Sequence, residues 1–319
     1  MDYYSDICYY YSDKKGLVER MTTKQASEKW GISDRRIRLL CQQNKIPNAE
    51  LIGKTWYLPD DAKKPKDGRM KTNQNLLNKI IELKNQLDEK RPFTEGELQK
   101  LNEQFAIEYI YNSNAIEGNT LTLRETEMVL RGLTIDQKPL KDHMEAIGHK
   151  EAFDYVCDLV KQKTQLNQHT IKNIHYLVLA DKRQDRGVYR KIPVMIMGAK
   201  HVPPQPYSIE PKIEQLLLWY NEENSENFIT KLARFHVEFE GIHPFIDGNG
   251  RTGRLLVNLE LMKLGYPPID IKYIDRMAYY AAFDSYHTKG DLGPMINLFS
   301  KYIYERLEFY LSLLNEVDK

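Results

Sequence analysis

Two apolar helical stripes late in the chain, Leu232/Phe235/Phe239 and Leu255/Leu256/Leu259/Met262, are joined by the string His243-Pro-Phe-Ile-Asp-Gly-Asn-Gly-Arg-Thr-Gly-Arg254. The stripes recur at three and four, so both flanks are helices and the string between them must be a loop that turns directly into a helix. Gly248 and Gly250 let the backbone approach a ligand closely. The helix that begins near Arg251 points its free N–H groups and positive dipole end at the same spot. The result is an anion site. Arg251 and Arg254 stand at i and i+3 on one helical face, where two guanidinium forks suit successive phosphates of a polyphosphate better than a single anion. Asp247 offers a hard oxygen ligand beside those phosphates, suited to Mg²⁺ that keeps most of its waters and bridges to a nucleotide. His243 is the residue of the loop able to act as a base near neutral pH. Phe245 is expected to bury its ring and pin the loop.

The string resembles the Fic motif, H-P-F-x-(D/E)-G-N-G-R-x-x-R, with every fixed position present. The similarity extends more loosely over about residues 90 to 305, including Gly187-Val-Tyr-Arg190 and the Asp291-Leu292 region. The segment Pro193 to Val202, with β-branched residues around a glycine turn, reads as a hairpin; in Fic proteins such a hairpin is a flap that holds the target segment. The resemblance implies transfer of AMP from ATP to a Tyr, Thr or Ser hydroxyl of a target protein. His243 would deprotonate that hydroxyl and Asp247 would bind Mg²⁺. Asn249 and the Gly248 and Gly250 amides would hold the α-phosphate, with Arg251 on the β- and Arg254 on the γ-phosphate. Some Fic proteins transfer UMP, phosphate or phosphocholine instead, and nothing in this sequence reads the base directly. Tyr279 and Tyr280 either stack on adenine or belong to the core. A P-loop phosphotransferase is set aside, because the chain lacks G-x-x-x-x-G-K-(S/T).

Ser113-Asn-Ala-Ile-Glu117-Gly118 places Ser113 and Glu117 at i and i+4 near the end of a helix that starts near Glu95, with Gly118 to stop it. Spacing alone describes an ordinary helix terminus. The segment also resembles the (S/T)-x-x-x-E-(G/N) inhibitory motif of Fic proteins, whose glutamate pairs with the second arginine of the catalytic motif. Its place ahead of that motif implies an N-terminal, intramolecular brake. In some relatives the same glutamate supports removal of AMP, so the resemblance also admits a reverse activity.

The front of the chain has a different character. Between Arg20 and Pro65 stand ten Lys/Arg against five Asp/Glu, a local charge of +5 in a chain whose net charge is +1. Thr23 is expected to cap a helix over 24–30, Gly31-Ile32 to turn, Ser33 to cap a helix over 34–43, and Glu50 to Leu58 to form a hairpin around Gly53-Lys54. From Met21 to about Pro59 the sequence resembles the winged helix-turn-helix of excisionase and MerR-like proteins. That resemblance implies DNA contact by Arg35, Arg36 and Arg38 on the second helix and Lys54 on the wing. A basic docking module is the alternative. The charged stretch Asp60 to Arg69, with Pro65 and Gly68, reads as a linker.

The expected architecture is therefore an all-α Fic-domain core with a small β-hairpin flap over 67–319, behind a winged helix-turn-helix over 1–66. The Leu76/Ile80/Leu83/Leu87 stripe is either core or the seam of a homo-oligomer. Acids in place of an n-region, no long apolar run, and three unpaired cysteines (Cys8, Cys41, Cys157) point to a cytoplasmic protein without a membrane partner. Two functions compete: an AMP-transferring enzyme localised by its front domain, and a DNA-binding regulator that uses the Fic body as a nucleotide sensor. A sensor needs the arginines but no base, so His243 favours the enzyme.

Overall fold

The computed structural model describes residues 20–31, 33–42, 45–64, 68–90, 92–222 and 226–317, so Cys8 lies outside the described residues. The chain divides into two compact units, Met1–Lys71 and Thr72–Lys319.

In the first unit, β1 (Arg20–Thr22), α1 (Thr23–Trp30), α2 (Asp34–Gln42), β2 (Glu50–Ile52) and β3 (Thr55–Pro59) follow one another. The strands form one antiparallel sheet in the order β1-β3-β2, with Met21 opposite Leu58 and Leu51 opposite Trp56. β1 was not foreseen, since three residues are too few to show alternation. Thr22, not Thr23, caps α1: its side chain accepts from the Gln25 amide while the Gln25 side chain accepts from the Thr22 amide. Of two adjacent threonines, the one with a glutamine three residues on can close a capping box. Gly31 ends α1 in the left-handed conformation. Met21, Ala26, Ile37, Leu40, Cys41 and Leu58 make this unit's core.

α3 (Gly68–Glu89) begins inside the stretch read as linker, in the last residues of the first unit, and continues into the second. Arg69, Met70 and Lys71 are good helix formers leading directly into the apolar stripe. Leu77 and Ile80 are buried, and Leu76, Leu83 and Leu87 pack against the same cluster, so the stripe is spent on the core. Capping boxes at Thr94/Glu97 and Thr122/Glu125 open α4 (Glu95–Ile116) and α5 (Leu123–Leu130). Then come α6 (Leu140–Lys161), α7 (Gln168–Val178), α8 (Ile209–Asn221), α9 (Phe228–Ile242), α10 (Asn249–Lys263), α11 (Arg276–Lys289) and α12 (Gly293–Val317).

α10 is the axis of the unit. Leu255, Leu256 and Leu259 join the cluster of Phe105, Phe153, Phe235, Phe239 and Phe245, while Val257 and Leu261 join that of Ile80, Leu232, Phe299 and Ile303. A helix enclosed on all sides cannot shift easily, which makes its N-terminus a fixed platform. α6 and α7 cross closely at Gly148, where a Cβ would lie 2.5 Å from the Leu177 carbonyl oxygen.

The expected flap hairpin is corrected. Pro193 to Val202 forms no strand pair; it holds a turn at Gly198, where the Ala199 amide donates to the Ile196 carbonyl at 3.1 Å. Pro193, Pro203 and Pro204 bracket the segment and bring no amide to a ladder. Met195 and Met197 are 85% and 97% exposed. Among the described residues, strands occur in the first unit alone.

Candidate active site

The loop between α9 and α10 is held from within. His243 caps α9 in the left-handed region, φ +49°, an unusual conformation for a residue with a Cβ. Arg190 maintains it, its Nε donating to the His243 carbonyl at 2.8 Å and its amide to the Pro244 carbonyl at 2.9 Å. Phe245 is fully buried and its ring stacks on His175 at 3.6 Å. His175 accepts from the Gly187 amide at Nδ1 and meets the Asp247 carbonyl at Nε2, both at 2.9 Å, so it is the neutral Nε2–H tautomer. Burial pushes its imidazole down to about 4, consistent with that assignment.

The Asn249 side chain accepts from the Phe245 amide at 2.8 Å and donates one of its two N–H groups to the Phe245 carbonyl at 2.9 Å, so it locks the loop. The Gly248 amide likewise donates to Asp247 Oδ1 at 2.6 Å. What remains for an anion is the start of α10, where no side chain provides a cap. The helix begins at Asn249, two residues earlier than expected.

His243 is well desolvated, and burial pushes it down to about 4, so at neutral pH it is a free base. Its Nδ1 has no hydrogen-bond partner among the described residues. Although burial opposes its charge, the bond from Lys182 and the nearby Arg251 hold the Asp247 carboxyl below the usual range. Lys182 Nζ stands 2.5 Å from Asp247 Oδ2.

The two arginines are both present and both occupied. Arg251 is 1% exposed, with Nη1 3.2 Å from Glu145 Oε1 and Nη2 3.5 Å from Asp247 Oδ1. The contact to Glu145 is an ion pair without hydrogen-bond alignment, since Nε and Nη1 make no hydrogen bond to the described residues. Arg254 donates from Nε to Ser113 Oγ and from Nη2 to the Ser113 carbonyl and to Glu117 Oε1, each at 2.8 Å. Glu117 is the C-cap of α4 and Gly118 follows at φ +93°. A Cβ at Gly250 would lie 2.2 Å from Glu117 Oε1, so that carboxylate sits over the N-terminus of α10, where an anion belongs.

Tyr279 is core: buried, its hydroxyl 2.7 Å from His236 Nε2, with no face open to a base. Tyr280 is partly exposed and donates to the Ile116 carbonyl at 2.9 Å. Arg35, Arg38 and Lys54 are exposed in the first unit, Arg38 paired with Asp34 one turn back; the Arg36 side chain lies outside the described residues. Sequence reading missed His175, Lys182, Glu145 and Glu240. The Glu240 carboxyl is pushed up to about 8 by burial, Oε1 makes no hydrogen bond to the described residues, and a Cβ at Gly253 would lie 2.3 Å from it.

No group of three or more His, Cys, Asp or Glu suited to a metal occurs among the described residues. None of the described helices is long and apolar enough to cross a membrane.

A helical body thus brings a neutral histidine, a carboxylate and two buried arginines to one helix N-terminus that lacks a side-chain cap, the composition of an anion site. Residues 165–261 match the Fic/DOC family. It is 34% identical over 235 residues to a protein adenylyltransferase Fic of Drosophila grimshawi, covering 70% of this chain and 48% of that protein. The Drosophila melanogaster counterpart is 33% identical over 220 residues, covering 68% and 44%. The chain thus spans about half the length of the curated relatives it matches. Among solved structures, Fic-1 from C. elegans superposes with a TM-score of 0.69 at 27% identity, covering 78% of this chain and 74% of that one. A Fic domain containing signaling protein from Bacteroides thetaiotaomicron gives 0.67 at 26%, covering 76% and 97%.

Proposed function

We propose that this chain transfers AMP from ATP to a Tyr, Thr or Ser hydroxyl of a target protein and is held in check by Glu117. The observation that carries the reading is the neutral His243 standing in the same loop as the uncapped α10 N-terminus and the two arginines. The target oxygen attacks the α-phosphorus, its proton passes to His243, and pyrophosphate leaves. The α10 N-terminus and Arg251 offset charge on the phosphates, and Arg254 can do so only after it parts from Glu117. Bound Mg²⁺ would neutralise phosphate oxygens, and Asp247 is the residue that would hold it.

The first unit supports a further part of the reading, a winged helix-turn-helix over about 1–66 in front of the Fic body. Two short helices and a three-stranded sheet with exposed Arg35 and Lys54 fit that form. Labelled ATP decides between enzyme and sensor: label in the α-phosphate should be retained on protein and label in the γ-phosphate should not. His243→Ala should abolish retention while leaving ATP binding largely intact. Undiminished transfer by that variant refutes the mechanism.

A further inference from the structure

Arg251 is a fully buried cation, and such a group needs a fixed counter-charge or it abandons its position. Two carboxylates face it. Asp247 is shared with Lys182 at 2.5 Å and, on the reading above, is the metal's residue, so it is not a constant partner. The other is Glu145 on α6, itself 5% exposed, with Oε1 3.2 Å from Arg251 Nη1. Lys141 reaches the same oxygen at 3.5 Å from the surface side.

Glu145 is in turn fixed by the brake segment. Its Oε2 accepts from Asn119 Nδ2 at 2.9 Å, and the same Nδ2 reaches the Asp142 carbonyl at 3.1 Å. Asn119 Oδ1 accepts from the Leu121 amide at 3.1 Å, which orients the amide group. Asn119 stands two residues beyond Glu117, and its backbone amide donates to the Asn114 carbonyl at the end of α4. The chain from Ser113 to Asn119 therefore touches both arginines of the catalytic loop: Arg254 directly, and Arg251 through Glu145.

We propose that Glu145 is a positioning residue for Arg251, holding the guanidinium where the β-phosphate meets it, with Asn119 fixing the Glu145 carboxylate from the brake segment. The inference rests on the assignment of Arg251 to the β-phosphate. Glu145 contacts Nη1, and Nε makes no hydrogen bond to the described residues, so the carboxylate steadies the fork without occupying all of it. A displaced fork loses the paired geometry that makes arginine selective for phosphate.

ADP and AMP differ by the phosphate in question, so the ratio of their dissociation constants, measured by calorimetry on the full chain, isolates it. Glu145→Gln keeps shape and an acceptor for Asn119 but removes the charge; ADP binding should weaken about tenfold while AMP binding stays unchanged. Glu145→Asp, which keeps the charge but withdraws it by one methylene, should show the same selective loss. In the Arg251→Ala background Glu145→Gln should have no further effect, as expected of residues acting through one contact. Equal weakening of ADP and AMP, or an unchanged ratio in Glu145→Gln while Arg251→Ala alters it, overturns the positioning role. If Arg251→Ala itself leaves the ratio unchanged, the underlying phosphate assignment is what fails.

Discussion

Replacing Glu117 by glycine tests the brake at its contact. Arg254 donates three hydrogen bonds of 2.8 Å, two to Ser113 and one to Glu117, and only the last acceptor carries charge. A hydrogen bond to a charged group contributes about 1.5–3 kcal/mol net. The Glu117 side chain is 34% exposed, which places the pair near the lower end of that range, about one decade in the equilibrium between held and released arginine. A second effect acts in the same direction. Glu117 Oε1 lies 2.2 Å from where a Gly250 Cβ would stand, so in the parent a carboxylate faces the α10 N-terminus and repels the terminal phosphate of any nucleotide that enters. ATP can bind, but skewed, and a displacement of about 1 Å at the reacting atoms costs on the order of a hundredfold. Glu117→Gly should therefore raise the initial rate of AMP incorporation, with Mg²⁺ and ATP saturating, by ten- to a hundredfold. Combining it with Arg254→Ala should lose the gain, whereas a helix end loosened without specificity would not depend on Arg254. Equal rates in the parent and Glu117→Gly would show that the segment from Ser113 to Gly118 is a helix terminus only.

Glu240, at about 8 in the fold against an ordinary 4.5, keeps its proton across that window while the unfolded chain has lost its own. Stability contributed by the neutral carboxyl is thus fully present below pH 4.5, falls by up to about 1.4 kcal/mol per pH unit towards pH 8, and then levels. Glu240→Gln should melt near the parent at pH 4.5 and above it at pH 8, and parallel melting profiles would refute the assignment. In the first unit, the charge of +5 predicts DNA affinity that weakens steeply with salt, and Arg35→Ala with Arg36→Ala should cut it. Absence of binding to any genomic fragment at low salt would leave the unit as a docking module.

What the sequence made legible is local. The loop from His243 to Arg254 could be read because its chemistry is compressed into consecutive positions and its conformation follows from glycines and a helix start. A capping box is local in the same sense: Thr122 and Glu125 stand three apart, and the structure closes the box. Pro193 to Val202 deceived because β-branched residues and a glycine turn are local signals, whereas a ladder needs paired amides along both arms. Tyr279 and Tyr280 are adjacent on one helix, yet one is core and the other half exposed, a difference set by what α9 and α4 place beside them. The partners of the site were illegible for the same reason: His175 and Lys182 reach Asp247 across 72 and 65 residues. The Glu117–Arg254 pair spans 137, and only the family resemblance named it beforehand.

The glycines of α10 show how far the local reading extends. Gly250 was read as clearance for a phosphate, and the clearance is real, but in this state Glu117 fills it. Gly253 drew no reading, yet a side chain there would meet Glu240, which faces Arg254 from the α9 side. Two missing side chains on one buried helix thus admit two carboxylates from different elements to the neighbourhood of a single arginine. One is partly exposed and charged, and pairs with the guanidinium; the other is enclosed and neutral, and does not compete for it. A neutral Glu240 leaves the charge of Arg254 to Glu117, whereas a charged one would repel Glu117 and compete with it for the same cation. A side chain at Gly253 would meet the Glu240 carboxyl and the His236 ring first, so the glycine keeps the space in which that carboxyl stays enclosed and neutral.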